Sequence, residues 1–343
     1  MKKLLFSIFF CFCALVVWAQ LPDLKFTHLT NAQGLSQSTV MCILKDKYGF
    51  MWFGTMDGLN KYDGYNFTVY RHDPNKPGSI PASDIIALYE DKAGDLWVGT
   101  NGGTLSRYDR ASDTFVHYPA NPDDKQAISD RAVTAIFEDS KGNFWLGTRA
   151  GLNLFYRKTK KVIRFMAGAQ NTNHLSNPNI SSITEDTEGN LWIGTYGGLN
   201  RFDPRTKTFT RFLHHDNKPQ SLTYNYVTSL LPAANGSVWV GTYGGLDLYN
   251  AASNTFTHFR HNPGNANSLS SNTVYALASA APGKIWIGTE QGLNLYDSAT
   301  NQFQSYTKKS YDETSLSHNS IISLLQDKQG ILWVGTYGGL DLY

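Results

Sequence analysis

Apolar and polar residues alternate in short runs along this chain, and the runs return at a nearly constant spacing. The tetrapeptide Trp-x-Gly-Thr begins at Trp52, Trp97, Trp145, Trp192, Trp239, Trp286 and Trp333, with successive gaps of 45, 48, 47, 47, 47 and 47 residues. Three residues before each tryptophan is a glycine (Gly49, Gly94, Gly142, Gly189, Gly236, Gly283, Gly330), and six residues after it is another (Gly58, Gly103, Gly151, Gly198, Gly245, Gly292, Gly339). Seventeen residues before it is Leu or Ile: Leu35, Ile80, Ile128, Leu175, Leu222, Leu269, Leu316. Self-similarity of this kind marks a repeat architecture, in which each unit buries its apolar face only against its neighbours.

Within a unit the alternation has period two and predicts four short strands. In the fifth unit these are Val227-Thr228-Ser229-Leu230, Ser237-Val238-Trp239-Val240-Gly241, Leu246-Asp247-Leu248-Tyr249 and Phe256-Thr257-His258-Phe259. A polar loop of roughly a dozen residues then leads onward. Four-stranded units of this length predict an all-β, seven-bladed β-propeller. The seventh unit reaches Tyr343 at the end of its third strand, while Lys25-Phe26-Thr27-His28-Leu29 reads as a fourth strand with no unit of its own. The N-terminal strand is therefore expected to complete the last blade and close the ring, removing two exposed sheet edges.

Seven internal copies separate scaffold from site. The tryptophans, each able to bury about 150–250 Å², are expected to pack between neighbouring sheets, with the glycine two positions on leaving room beside the ring. Asp46, Asp91, Asp139, Asp186 and Asp327 recur six residues before tryptophan, with Ala233 and Ala280 in the other two units, and read as turn caps. Cys42 stands in a column otherwise made of Ala and Ser, so it reads as a small buried residue rather than a reactive thiol.

Variable positions within the fixed frame are the binding candidates. Four residues after each tryptophan stand Met56, Asn101, Arg149, Tyr196, Tyr243, Glu290 and Tyr337. In a propeller this turn and the long inter-blade loop share one face around the central channel. Asn101, Arg149, Tyr196, Tyr243, Glu290 and Tyr337 at one mouth suit a polyhydroxylated or partly anionic ligand, with flat rings stacking on sugar faces and polar tips taking hydroxyls. A second variable set opens the innermost strands: Asp130, Arg131, Asn177, Asn179, Tyr224, Asn225, Tyr226, Asn272, His318 and Asn319. Asn225, Asn272 and Asn319 share a column and read as structural. Arg131 and Tyr224 break their columns and join the candidates.

Composition narrows the class. Of 343 residues, 17% are charged and 13% aromatic, with 30 glycines, which excludes a disordered chain, a coiled coil and a collagen-like fibre. Met1-Lys2-Lys3, the apolar run Leu4 to Val17 and the small residue Ala19 read as a secretory signal peptide over 1–19, leaving 20–343 as one exported propeller, periplasmic or secreted. No other segment reads as a membrane span. The formal charge of +2 falls to zero without Lys2 and Lys3, so nothing points to nucleic acid. Cys42 alone survives removal of the leader, which excludes an internal disulfide.

No signature of chemistry stands out. The histidines form no His-Glu-x-x-His or regular Cys/His set, so neither metal nor cofactor is expected. There is no Gly-x-Ser-x-Gly elbow. Glu290 and Asp57 near one face leave a glycosidase-like carboxylate pair open.

The stretch from Asp186 to Asp203, DTEGNLWIGTYGGLNRFD, and Gly330 to Leu340, GILWVGTYGGL, resemble the two-component regulator propeller repeat, and the resemblance covers the whole chain after the leader. It implies a periplasmic sensor of hybrid histidine kinases that recognises glycan breakdown products. The further propeller, immunoglobulin-like domain, membrane helix and kinase modules usual in that family are not found in this sequence, so the expectation is either a stand-alone periplasmic recognition propeller or the N-terminal piece of a split or truncated sensor gene, with a histidine kinase or further sensor domains encoded separately as partners. The reading is a non-enzymatic oligosaccharide-sensing propeller. A propeller lyase or hydrolase and a protein-interaction platform of the cell envelope are the alternatives.

Overall fold

Each Trp-x-Gly-Thr lies in the second strand of a four-stranded antiparallel sheet, and seven such sheets form the protein. The computed structural model describes residues 23–168 and 173–343. The leader read at 1–19 lies outside the described residues. Blade 1 comprises Val40–Lys45, Met51–Thr55, Gly58–Tyr62 and Phe67–Tyr70, innermost strand first. Blades 2 to 6 repeat that order, and their innermost strands pack on one another in sequence.

The ring closes as the alternation predicts. Thr27–Leu29 pairs with Leu340–Leu342 in the register Thr27↔Leu342, His28↔Asp341, Leu29↔Leu340, supplying the outer strand of blade 7. On the inner side, Ile321–Gln326 of blade 7 packs on Val40–Lys45 of blade 1, and Ser323 Oγ donates to the Val40 carbonyl at 2.6 Å.

The seven tryptophans of the repeats are all buried between sheets. Trp52 packs with Ile85, Leu96, Val98 and Tyr108 of blade 2, its ring 5.1 Å from Tyr108. Trp333 meets Phe53 of blade 1 across the closure at 5.6 Å. The glycine two positions on does not make room for the indole, which revises the expectation. A Cβ on Gly54 would collide with Ile85 of the next blade and with Cys42 of its own, and Gly147 and Gly288 meet Ile180 and Ile321 in the same way. The β-branched side chain of the next blade fills this space, so the glycine and the residue paired with it in its own sheet, Cys42 opposite Gly54, must both be small. That accounts for Cys42, whose thiol is pushed up to about 12 by burial.

The recurring aspartate caps its turn and also anchors the tryptophan. Asp46 Oδ1 accepts the amides of Tyr48 and Phe50 at 3.0 Å, while Trp52 Nε1 donates to Asp46 Oδ2 at 2.8 Å. Asp91, Asp139 and Asp186 hold Trp97, Trp145 and Trp192 at 2.8–2.9 Å. Arg110 and Arg157 reach back one blade to pair with Asp46 at 2.9 Å and Asp91 at 2.7 Å. In blade 7 Asp327 pairs instead with Lys45 of blade 1 at 2.7 Å, and Trp333 Nε1 is left without a partner among the described residues.

A second column stitches each inter-blade loop to its sheet. The fully buried Asn60, Asn153, Asn200 and Asn294 accept the amides of Ser36, Ser129, Ser176 and Ser270 and donate back to their hydroxyls. Blades 5 and 7 carry Asp247 and Asp341 there, and each is paired with a histidine of the outer strand. His258 Nδ1 donates to Asp247 at 2.7 Å and Nε2 to the Pro219 carbonyl at 2.8 Å; His28 does the same to Asp341 at 2.7 Å and the Glu313 carbonyl at 2.8 Å. Two acceptors per ring require both nitrogens to carry protons. The bond to the carboxylate accordingly raises each histidine above its ordinary value of 6.5.

Removing residues 20–35 takes away the outer strand of blade 7 and leaves Asp341 buried without its histidine. Loss of the cooperative thermal transition, with aggregation by light scattering, is the expected result. For the histidines the folded-state pKa is raised, so their stabilisation is complete below about 6.5 and declines as pH rises through the raised value. The melting temperature is expected to fall between pH 6 and pH 9. Asp247→Asn/His258→Ser, which installs the Asn294–Ser305 pairing of blade 6, should flatten that fall, whereas His258→Ala alone strands a buried carboxylate and should cost about 3 kcal/mol.

Candidate ligand site at the mouth of the ring

The turn after each second strand and the entry to each inner strand are bound together around one rim. Within a blade, the turn amides of Asn101, Tyr196, Tyr243 and Glu290 donate to the carbonyls of Asp84, Asn179, Tyr226 and Thr273 at 2.9–3.2 Å. Between blades, Gly58, Thr104, Gly151 and Gly198 donate to Ser83, Arg131, Pro178 and Asn225 at 2.7–2.9 Å. Turn residues and entry residues consequently alternate around the mouth.

That alternation brings Tyr196 and Tyr243 together through Tyr226. Tyr226 is sandwiched between them, with ring centroids 4.0 Å from Tyr196 at 21° and 4.2 Å from Tyr243 at 13°. Tyr275 meets Tyr243 edge-on at 6.1 Å and 82°. Burial, then the hydrogen bond to Tyr196, raises the Tyr226 phenol well above the ordinary range. Tyr275 is pushed up to about 12 by burial, with the neighbouring charge of Glu290 next and then Tyr243 and Tyr337. Glu290 and Tyr337 thus belong to the same arc, and Tyr337 meets His318 edge-on at 5.9 Å.

The remaining candidates are placed differently. Asn101 is half-buried and donates to Asp84 Oδ2 at 2.8 Å. Arg149 is exposed, and no side-chain partner is found for it among the described residues. Arg131 occupies the column whose Asn225, Asn272 and Asn319 accept the amides of His214, His261 and Lys308, so it stands toward the inter-blade loop. Tyr224 lines a separate cleft beside that loop. Two residues of the arc, Tyr226 and Tyr275, stand outside the candidates that the sequence marks. Tyr226 is the one aromatic in the column Thr39, Asp84, Ala132, Asn179, Tyr226, Thr273, Ser320, and that contrast was visible in the repeats. Tyr275 sits on a β-bulge that shifts the register of every inner strand at its second residue, which alternation alone does not reveal.

Stacking on one another changes what these rings offer. Both faces of Tyr226 are covered, so the ladder presents ring edges and phenolic hydroxyls, able to donate and accept. Open ring faces for stacking on a sugar are left at the Tyr196 end of the ladder and at the exposed Tyr337, which has no stacked partner among the described residues.

Thr223, His258 and Asp247 also lie within hydrogen-bond reach of one another, with Thr223 Oγ1 2.8 Å from His258 Nδ1 and bonded to Asp247. These are the residue types of a nucleophile, base and acid. Here His258 Nε2 donates to the Pro219 carbonyl and Nδ1 to the carboxylate, so the ring has no lone pair with which to take a proton. Among the described residues no group of three or more His, Cys, Asp or Glu is arranged to hold a metal ion.

The two component regulator propeller sequence model matches seven times, at residues 34–57, 79–102, 127–150, 174–197, 221–244, 268–291 and 315–338, once in each blade. The chain belongs to that family. Its fold matches the extracellular domain of a hybrid two component system from B. thetaiotaomicron at 28% identity and a TM-score of 0.80, over 94% of this chain and 42% of that one. A 73-residue stretch is 47% identical to histidine kinase P4 of Formosa agariphila, covering 21% of this chain and 5% of the kinase. The chain therefore spans less than half the length of either relative. A streptogramin B lyase shares the fold at 12% identity and a TM-score of 0.68, over 93% of this chain and 97% of that one.

Replacing Tyr226 tests the ladder. Tyr226→Ala removes two stacked contacts of about 0.5–1.5 kcal/mol each, so a loss of about 1–3 kcal/mol in denaturant unfolding is expected, with Tyr226→Phe recovering most of it.

Proposed function

We propose that this chain is the ligand-sensing part of an exported two-component sensor and that it recognises an oligosaccharide at the tyrosine-walled mouth. Membership of a family whose structural relatives are extracellular domains of two-component systems supports the sensor role. The ligand class rests on one observation, the Tyr196–Tyr226–Tyr243 ladder with Tyr275, Glu290 and Tyr337 continuing the arc. Evenly spaced phenols on a rigid rim match the alternating donors and acceptors of sugar hydroxyls, and stacking fixes their positions before ligand arrives, which lowers the ordering cost of binding. Arg149 and Asn101 extend the polar part of the rim. Signal output then requires a histidine kinase, either continuous with this chain or encoded separately.

A thermal-shift panel of oligosaccharides tests the reading. A ligand at about a hundred times its dissociation constant stabilises the fold by roughly 2.7 kcal/mol. A hit that disappears in Tyr196→Ala and Tyr243→Ala is the expected result. Stabilisation unchanged by both substitutions would move the site off the mouth, and turnover of the glycan would favour the lyase or hydrolase reading.

A further inference from the structure

Comparison of blades 1 and 5 isolates one cation. Immediately after the outer strand, blade 1 carries Arg71 and blade 5 carries Arg260, where the others have Pro119, Met166, Leu213, Thr307 and Thr30. In blade 1 the guanidinium has a carboxylate, Arg71 Nε lying 3.1 Å from Asp57 Oδ2 on the turn after the second strand. Blade 5 has Gly244 at the position of Asp57. Arg260 keeps the same seat, its stem packed over Gly245, but it is exposed and has no carboxylate partner among the described residues.

The space left by the missing carboxylate is part of a cleft of about 680 Å³ on the shoulder of blade 5, lined by Arg260, Tyr224, Lys218, His215 and His214. His214 is engaged, Nδ1 with the Leu222 carbonyl at 2.8 Å and Nε2 with Asp216 at 3.0 Å. Asp216 is the one acidic residue on the lining; the exposed Lys218 and His215 have no side-chain partner among the described residues. The cleft adjoins the tyrosine ladder through the chain itself. Gly244 follows Tyr243 directly, Tyr224 lies two residues before Tyr226, and a Cβ on Gly244 would strike Tyr224 Cβ, so glycine is what lets Tyr224 lie over the turn.

We propose that this cleft is an anion subsite and that the ligand is an acidic oligosaccharide, carrying a carboxylate or sulfate group that Arg260 engages while the ladder hydroxyls take the adjoining sugar ring. The proposal rests on the sensing role assigned to the mouth. A guanidinium forks onto the paired oxygens of a carboxylate or sulfate, and here the ligand's anionic group takes the place that Asp57 fills beside Arg71 in blade 1. Lys218 and His215 add positive charge, and Tyr224 contributes a hydroxyl.

Isothermal titration of the purified protein with neutral, uronate-bearing and sulfated oligosaccharides of matched backbone separates the cases. Acidic ligands are expected to bind about ten-fold or more tightly than their neutral parents, with the preference shrinking at high salt. Arg260→Gln should abolish that preference without lowering the melting temperature, Lys218→Gln should reduce it, and Arg71→Gln should leave it intact. A preference confined to uronates or to sulfates identifies which group the cleft takes. Equal affinity for neutral and acidic ligands, or a preference that survives Arg260→Gln, overturns the anion subsite and leaves oligosaccharide sensing standing. Binding of no member of the panel overturns both.

Discussion

A four-stranded blade cannot cover its own faces. Each tryptophan is buried only when the next blade lies against it, Trp52 under Ile85 and Tyr108, Trp333 under Phe53 across the closure. Hydrophobic burial in this protein is therefore a property of the ring, and the short N-terminal strand Thr27–Leu29 carries a weight out of proportion to its three residues. Without it blade 7 keeps only three strands, ending on Leu340–Leu342, and Asp341 loses the His28 bond. The glycines beside the axis serve the same closure, since the next blade's Val or Ile side chain fills the space that a Cβ there would occupy.

Electrostatics then varies the repeat without disturbing it. The aspartate of blades 1 to 4 holds its turn and its indole, and arginines from the following blades bridge back to two of those carboxylates. Where asparagine becomes aspartate at the loop-stitching position, a histidine appears opposite and carries the compensating proton. Buried charge is tolerated at those two places because a second acceptor, the Pro219 or Glu313 carbonyl, fixes the imidazolium on both nitrogens.

The binding chemistry proposed for this chain lies on the rim, where the scaffold is indifferent to side-chain type. Blades 4 to 7 bring tyrosines to the mouth and blade 5 adds an arginine relieved of its internal partner. The contrast between Arg71 with Asp57 and Arg260 with Gly244 shows how one substitution in a repeat converts a structural ion pair into an available cation. Membership of the two component regulator propeller family and the match to the extracellular domain of a hybrid two component system support a sensor role.

Blade number, strand order and closure were all legible along the chain, because a period near 47 with two-residue alternation is a local property and ring closure follows from counting strands. Tyr196, Tyr243, Glu290 and Tyr337 could be nominated the same way, as variable residues in an invariant turn. The tertiary structure decided what those residues become. Tyr226 joins the ladder because rim hydrogen bonds interleave the entry of blade 5 with the turns of blades 4 and 5, and Tyr275 joins it because a bulge takes it out of the strand's register. The role proposed for Arg260 follows from the absence of a carboxylate sixteen residues earlier in the chain, at Gly244. Such relations are set by contacts between strands and blades rather than by neighbours along the backbone, which is why composition and periodicity located the mouth but not the way its side chains are shared.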